Sequence, residues 1–447
     1  MNRVEVWYSG HETAESANAR LATTEATHVL WLDNSGELMP DALDHVANLL
    51  KRFTVDLAYG DSVIKDDVNQ RRVYRPLFSQ LRLREQDFLG PAVVMAVEWM
   101  RSVGGFDPRA EGVHGYDFGL RYANVAARVV CIPEVLTVIR NFPAVMPAET
   151  SAVEHRLDVA QIPASVGERD DGSRRIAYEI NGDPMVSVII PTRGSRGEVR
   201  GAEACLVVDA VRGLMESTDF PRLEIVIVAD DATPQPVIDE LRALAGESLR
   251  LVRYSSPFNF SAKINSGAMH ASGDYLLLLN DDVEIIRPDW ITILLGLVQQ
   301  PGVGMSGALL FFEDGKVQHG GHIYRDHWAG HIESPDETGA ADTLRGFGVT
   351  REVSGVTAAC SMLSADTFWK VGGLSLDFPG NYNDVDLCLK VRSIGKSIVF
   401  SPDAQLVHFE SKTRNATITQ HDIGALRNRW GTRLLIDGYW REEPLQR

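Results

Sequence analysis

Gly273–Asp289 reads GDYLLLLNDDVEIIRPD. Its apolar run, Tyr275–Leu279, has the length of a strand buried on both faces. Asn280-Asp281-Asp282 follows as a polar turn. Pro288-Asp289 then opens a helix, because proline fits the first helical turn. Thr27–Asp41, THVLWLDNSGELMPD, repeats that grammar, and its helix carries Leu43, Val46, Leu49, Leu50 and Phe53 at helical spacing. Further matches follow in the same order. WMRSVGGFD (Trp99–Asp107) answers to FWKVGGLSL (Phe368–Leu376), and YDFGLR (Tyr116–Arg121) to VDLCLK (Val385–Lys390). The offset is 247 from Asp33 to Asn280, 268 from Gly105 to Gly373, and 269 from Asp117 to Asp386 and from Pro133 to Pro402. The chain therefore states one unit twice. The growth in offset gives the second copy about 21 extra residues, assigned to a region that includes the His-rich stretch Gln318–His331.

Between the copies, roughly Asn141 to Asp183 is rich in Pro, Ala, Ser and charge, and reads as a linker. The second copy opens with MVSVIIPTRG (Met185–Gly194), a strand entering a Gly-containing loop. EIVIVA (Glu224–Ala229) is a second buried strand that ends at Asp230-Asp231. Strands alternate with helical stretches thereafter, which predicts an α/β fold with a largely parallel sheet. Ligands of such sheets bind beyond the carboxyl ends of the strands. The first copy lacks these two opening strands, apart from VEVWY at Val4–Tyr8, and reads as truncated.

A chain of 447 residues with 44% apolar and 23% charged residues predicts two or three folded domains and excludes wholesale disorder. The net charge of -17 argues against a nucleic-acid partner, which would demand a basic face. Cys131, Cys205, Cys360 and Cys388 are widely spaced and read as reduced thiols. The first ten residues hold no apolar run, and no apolar stretch is long enough to span a bilayer. The expected location is the cytoplasm, with a peripheral contact at the inner face of the membrane as an open alternative.

Three sites carry chemistry. Asp281 and Asp282 sit on a turn after a buried strand; a hard divalent cation takes such oxygen ligands together with substrate phosphates. Either one alternatively caps the following helix. His408, in LVHFESK (Leu406–Lys412), offers an imidazole that suits a manganese-like ion beside carboxylates. A single histidine is more often a packing residue. Asp384 opens a helix-like run, where it is either a capping carboxylate or a general base.

From Met185 to about Tyr439 the chain resembles the family 2 inverting glycosyltransferases with a GT-A fold, and most of all the bacterial branch that builds O-antigen and other cell-surface polysaccharides. The resemblance rests on VSVIIPTRG, EIVIVADDATP, FNFSAKINSGAMHASGDYLLLLNDDVEI, VQHGG, YNDVDLCLKVRSIG and LVHFESK. It implies that Pro191, Thr192 and Arg193 line a nucleotide pocket and that Asp230 contacts the base or ribose. Lys263 and Asn265 would approach the nucleotide or diphosphate. Asp281 and Asp282 would form the acidic metal motif. Asn280 stands where its first Asp often does, so Asp282 is the expected ligand. His408 would complete a site for Mn²⁺ or Mg²⁺. Asp384 would be the catalytic base, preceded by Asn383 where the family often has Glu. The implied donor is a UDP- or dTDP-sugar and the implied acceptor a glycan or lipid-linked glycan. The domain plan is a degenerate GT-A-like module over 1–145, a linker over 146–183, a catalytic GT-A domain over 184–410 and a helical extension over 411–447.

The offsets place Asp33 on Asn280, Asn34 on Asp281, Ser35 on Asp282, Gly115 on Asp384 and Ile139 on His408. The first copy thus loses the implied chemistry while keeping what packing needs, and is expected to be non-catalytic. A glycan-binding or scaffold protein is the competing class, and Asp281, Asp282, Asp384 and His408 argue against it. A nucleotidyltransferase would carry a Gly-rich signature near its start, which is missing here. Arg427, Arg429, Trp430, Arg433 and Trp440 read as a terminal helix packed on the catalytic half, or as a membrane or glycan contact.

Overall fold

The computed structural model describes residues 3–65, 70–121, 128–140, 147–331, 347–409 and 417–439. The chain forms two compact units. One is residues 1–178 with Asp342–Val349 and Tyr439–Arg447; the other is Glu179–Ala341 with Thr350–Gly438.

In the first unit, β1 (Val4–Tyr8), β2 (His28–Leu32), β3 (Gly36–Leu38), β4 (Leu57–Lys65), β5 (Ala92–Ala96) and β6 (Val129–Ile139) lie in the order β1-β2-β5-β4-β6-β3. The second unit contains β7 (Val186–Thr192), β8 (Leu223–Asp230), β9 (Leu249–Tyr254), β10 (Tyr275–Leu279), β11 (Val283–Ile285) and β12 (Val303–Phe311). A separate hairpin, β13 (His322–Arg325) and β14 (Trp328–His331), precedes β15 (Cys360–Ser364) and β16 (Ser397–His408). The large sheet runs β9-β8-β7-β10-β15-β12-β16-β11. Its first four strands are parallel, β15 reverses, and β12 and β16 are parallel again. Without β9 and β8, the strand order and sense are those of the first unit. The stretch Val4–Tyr8 forms a strand that pairs in parallel with His28–Leu32.

Register makes the comparison residue by residue. His28 pairs with Ala96 and Tyr275 with Ser364, offsets of 247 and 268. Gly36 pairs with Ile139 and Val283 with His408, offsets of 247 and 269. A one-residue slip would have turned every side chain to the other face. The extra residues of the second unit lie between β12 and β15, where the hairpin is.

The core of the second unit is the apolar run of these strands. Ile189, Val226, Val228, Leu276 and Leu278 are buried together with Phe368, Leu387 and Phe400. At about 25 cal/mol per Å² of apolar area, such strands stabilise the sheet without help from propensity. In the first copy's helix only Val46 and Leu50 of the five expected core positions are buried; Leu43 and Phe53 are exposed. The four cysteines are free thiols; Cys205, Cys360 and Cys388 are buried.

Of the stretch read as a linker, residues 147–178 are folded and cluster with the first unit. It holds a helix, Pro147–Val159, and a hairpin of Ala164–Glu168 with Arg174–Tyr178. Among its helix residues Ala152, Val153 and Leu157 are buried. Arg156 joins Asp107 at 2.9 Å and also Asp117, which is buried in the helix His114–Leu120. The second unit repeats this joint. Asp386, fully buried, accepts from Arg429 at 2.8 Å and from Trp430 Nε1 at 3.0 Å, both on the helix Gln420–Trp430. The helix after Pro147 thus occupies the position of the C-terminal helix, and the composition of this stretch concealed it. Arg429 and Trp430 accordingly pack on the helix Asn383–Ser393, whereas Trp440 lies outside the described residues. No helix among the described residues is long and apolar enough to cross a membrane.

Candidate active site

A cleft of about 650 Å³ opens at the carboxyl ends of β7, β8 and β10. It is lined by Pro191, Thr192, Arg193, Asp230, Lys263, Asp281, Asp282, Asp384 and His408, nine of the ten residues singled out from the sequence. Most of them converge because the strands deliver their last residues to the same edge, while the helices Phe260–His270 and Asn383–Ser393 bring Lys263 and Asp384 to it.

On one wall the residues order one another. Thr192 Oγ1 donates to Asp281 Oδ2 at 2.6 Å and accepts from the Gly194 N–H at 2.9 Å. Lys263 Nζ donates to the Thr192 carbonyl at 2.8 Å and meets Asp230 Oδ1 at 2.8 Å. Lys263 is thus a buried brace that neutralises Asp230 and fixes the loop after β7. Burial, with the Asp282 charge second, pushes the Asp281 carboxyl up to about 6.

Asn265 is the residue that the structure does not bring to the cleft. Two positions along the helix Phe260–His270 from Lys263 is a turn of about 200°, which puts Asn265 on the other side. Its Oδ1 accepts from Leu374 N–H at 2.9 Å and its Nδ2 donates to Leu374 O at 2.8 Å, clamping the turn Gly372-Gly373. Asn18, at offset 247, makes the same pair of bonds to Phe106, both 2.8 Å. A residue kept in both copies for one backbone clamp is a packing residue.

Asp282 and His408, the expected ligand pair, lie side by side. Val283 pairs with His408 across β11 and β16, which brings the neighbouring Asp282 to the imidazole. His408 Nδ1 donates to Gln318 Oε1 at 2.7 Å, and Asn280 Nδ2 donates to His408 Nε2 at 3.0 Å. Both bonds assign the ring proton to Nδ1, so the Nε2 lone pair accepts from the Asn280 side chain. Asp282 Oδ1 stands 3.1 Å from the same Nε2. A cation held between Nε2 and Asp282 Oδ1 would take the place of the Asn280 amide, which can turn away. Ligands each about 2.1 Å from an octahedral ion are about 3.0 Å apart when adjacent, so the spacing suits a small divalent metal. The donor set therefore fits Mn²⁺ or Mg²⁺, and Gln318 is the partner that aims the histidine, a role the sequence reading did not identify. Gln318→Ala is expected to weaken Mn²⁺ binding by about 10–100-fold, measured by calorimetric titration.

Asp384 opens the helix Asn383–Ser393, after Tyr382 in the left-handed region at φ 61°. Val385 N–H holds its Oδ1 at 2.8 Å, while Oδ2 is 3.8 Å from His322 Nε2. Oδ2 also accepts from the Ala358 N–H at 3.4 Å, so the helix start and Ala358 together orient the carboxylate on the wall of the cleft. His319, His322 and His331 offer nitrogens that all lie within 4.8 Å of one another beside it. His322 and His331 pair across the hairpin, and His319 comes from the short strand Val317–His319 beside β12.

Residues 187–372 match the family described as Glycosyl transferase family 2. The chain is 28% identical over 463 residues to uncharacterized protein y4gI of Sinorhizobium fredii, covering 96% of this chain and 49% of that protein. It is also 28% identical over 425 residues to the O-antigen biosynthesis protein RfbC of Myxococcus xanthus, covering 91% of this chain and 32% of that protein. The chain thus spans about half or a third of the length of these relatives. Among solved structures, the mannosyltransferase PcManGT from Pyrobaculum calidifontis, in complex with GDP-Man and Mn²⁺, matches with TM-score 0.38 and 17% identity over 52% of this chain and 59% of that one. GalNAc-T7 with UDP, GalNAc and Mn²⁺ matches with TM-score 0.46 and 12% identity over 60% of this chain and 51% of that one. The second unit is a mixed α/β fold, and residues 187–372 are the segment that matches the family described as Glycosyl transferase family 2.

Proposed function

We propose that the second unit is a metal-dependent inverting glycosyltransferase. It would move a sugar from a UDP- or dTDP-sugar to a hydroxyl of a glycan or lipid-linked glycan, in O-antigen-like polysaccharide synthesis. The observation that carries this reading is the convergence of Asp282, His408 and Asp384 in one cleft with Thr192, Asp230 and Asp281. A divalent ion held by Asp282 and His408 would supply positive charge to the departing nucleoside diphosphate. Pro191, Thr192 and Arg193 line the nucleotide side, and Asp230 is held there by Lys263. Asp384 takes the acceptor proton as its oxygen attacks the anomeric carbon. One displacement inverts the configuration, and no second nucleophilic carboxylate is needed.

The test is release of UDP or dTDP from a panel of nucleotide sugars, with Mn²⁺ and with chelator. Product configuration is read by NMR. Metal-dependent release with inversion is expected. Retention would sink the mechanism, and the absence of any release would favour a glycan-binding protein.

The first unit is, on this proposal, a non-catalytic copy. At Gly115, the counterpart of Asp384, an added Cβ would meet Trp31 and Val93 at 3.4 Å, and Trp31 packs on Phe106 and His114 at 5.0 and 5.6 Å between ring centroids. Packing has taken the place of a reactive carboxylate. The double variant Asp33→Ala, Ser35→Ala is expected to keep its transfer rate within about twofold. A collapse of rate in a folded protein would refute the proposal.

A further inference from the structure

We infer that the hairpin β13–β14 builds the acceptor subsite, with Trp328 as the face on which a pyranose ring stacks and His331 as a hydrogen-bond donor to its hydroxyls. This rests on the transferase reading, since it places the acceptor beside Asp384.

The hairpin is rigid. Its two turn residues, Asp326 and His327, both have positive φ, 50° and 64°, as a tight two-residue hairpin requires. Their N–H groups donate to Leu435 O and Leu434 O, both at 3.1 Å, and His327 Nδ1 donates to Gly431 O at 3.1 Å. Tyr324 N–H donates to Asp437 Oδ2 at 2.9 Å. On this fixed support Trp328 lines the cleft and remains 42% exposed. Its ring lies across Gly330, where an added Cβ would stand 1.7 Å from Trp328 Cη2. A large aromatic held flat by its own backbone, at the rim of a polar cleft, is a surface waiting for an apolar face.

The polar half comes from a chain of fixed tautomers. Thr357 N–H donates to His319 Nε2 at 3.2 Å, so neutral His319 carries its proton on Nδ1. That proton goes to His331 Nδ1 at 3.1 Å, which leaves His331 with its proton on Nε2. Burial, then the neighbouring imidazoles and Arg351, hold His319 well below the usual histidine range and so keep it neutral. The same chain disfavours a metal among the three rings, because neither nitrogen of His319 has a lone pair to give. A neutral donor beside an aromatic face suits a sugar, whose one side is C–H and whose edge is hydroxyl, better than it suits a phosphate. His322, paired across the hairpin with His331, stands 3.8 Å from Asp384, so the subsite abuts the base.

The test is saturation-transfer NMR on the full chain with the methyl pyranosides of glucose, galactose, mannose and rhamnose, with and without UDP and Mn²⁺. Saturation of at least one sugar is expected in the parent protein. It should fall about tenfold in Trp328→Ala and in Gly330→Ala, which displaces the ring without removing it, and recover in part in Trp328→Phe. Nucleotide-induced stabilisation should persist in all three. Equal saturation in Trp328→Ala, or none in the parent, would overturn the inference. So would one equivalent of zinc bound by the Asp282→Ala, His408→Ala protein and lost on adding His319→Ala. Failure of the parent to bind any nucleotide with Mn²⁺ would instead count against the transferase reading, because the sugar experiment is also read without nucleotide.

Discussion

Asp384→Asn is expected to lower the rate of glycosyl transfer by about 10²–10⁴-fold, the contribution of a positioned general base. The substitution keeps the shape of the side chain and an oxygen that can accept the Val385 N–H, so the helix start should survive. It removes the negative charge and with it the capacity to take a proton. The loss should therefore appear in kcat, with the donor KM and the melting temperature little changed. An active Asp384→Asn protein would assign the proton to another group and leave Asp384 as a helix cap.

The second large effect concerns the cation. Saturating Mn²⁺ and UDP at about 100 times their dissociation constant should stabilise the protein by about 2.7 kcal/mol. For a unit of this size that is a rise of roughly 5–10 °C. Asp282→Asn is expected to abolish that rise and to cost at least about 10²-fold in transfer, since it removes an anionic ligand where charge develops. A full Mn²⁺ response in Asp282→Asn, by thermal shift, would place the ion elsewhere.

Much of this was legible beforehand because strands buried on both faces declare themselves as apolar runs, and because similar stretches recur in the same order in both halves. The offset between Thr27–Asp41 and Gly273–Asp289 reappears as strand register in both sheets. Asp282, His408 and Asp384 were named from a resemblance, and the fold brings all three to one cleft. What stayed hidden depends on long-range partners. The helix Pro147–Val159 has an ordinary polar composition and owes its place to Arg156 reaching Asp107 and Asp117. Asn265 was assigned to the nucleotide by resemblance, yet Asn18 shows that a copy without the acidic motif keeps the same clamp. Gln318 and His319 are adjacent in sequence but serve different rings, His408 and His331, and spacing alone does not separate them.

The tethering of the hairpin to Gly431, Leu434, Leu435 and Asp437 bears on where this protein can be cut. A fragment trimmed to the matched segment, 187–372, would discard Asp384 and His408 outright. One ended just past His408 would retain every residue of the bond-making centre and still leave the Trp328 arm without its mooring. Such a product would be expected to turn over donor with water while handling acceptors poorly, so expression boundaries belong beyond Gly438.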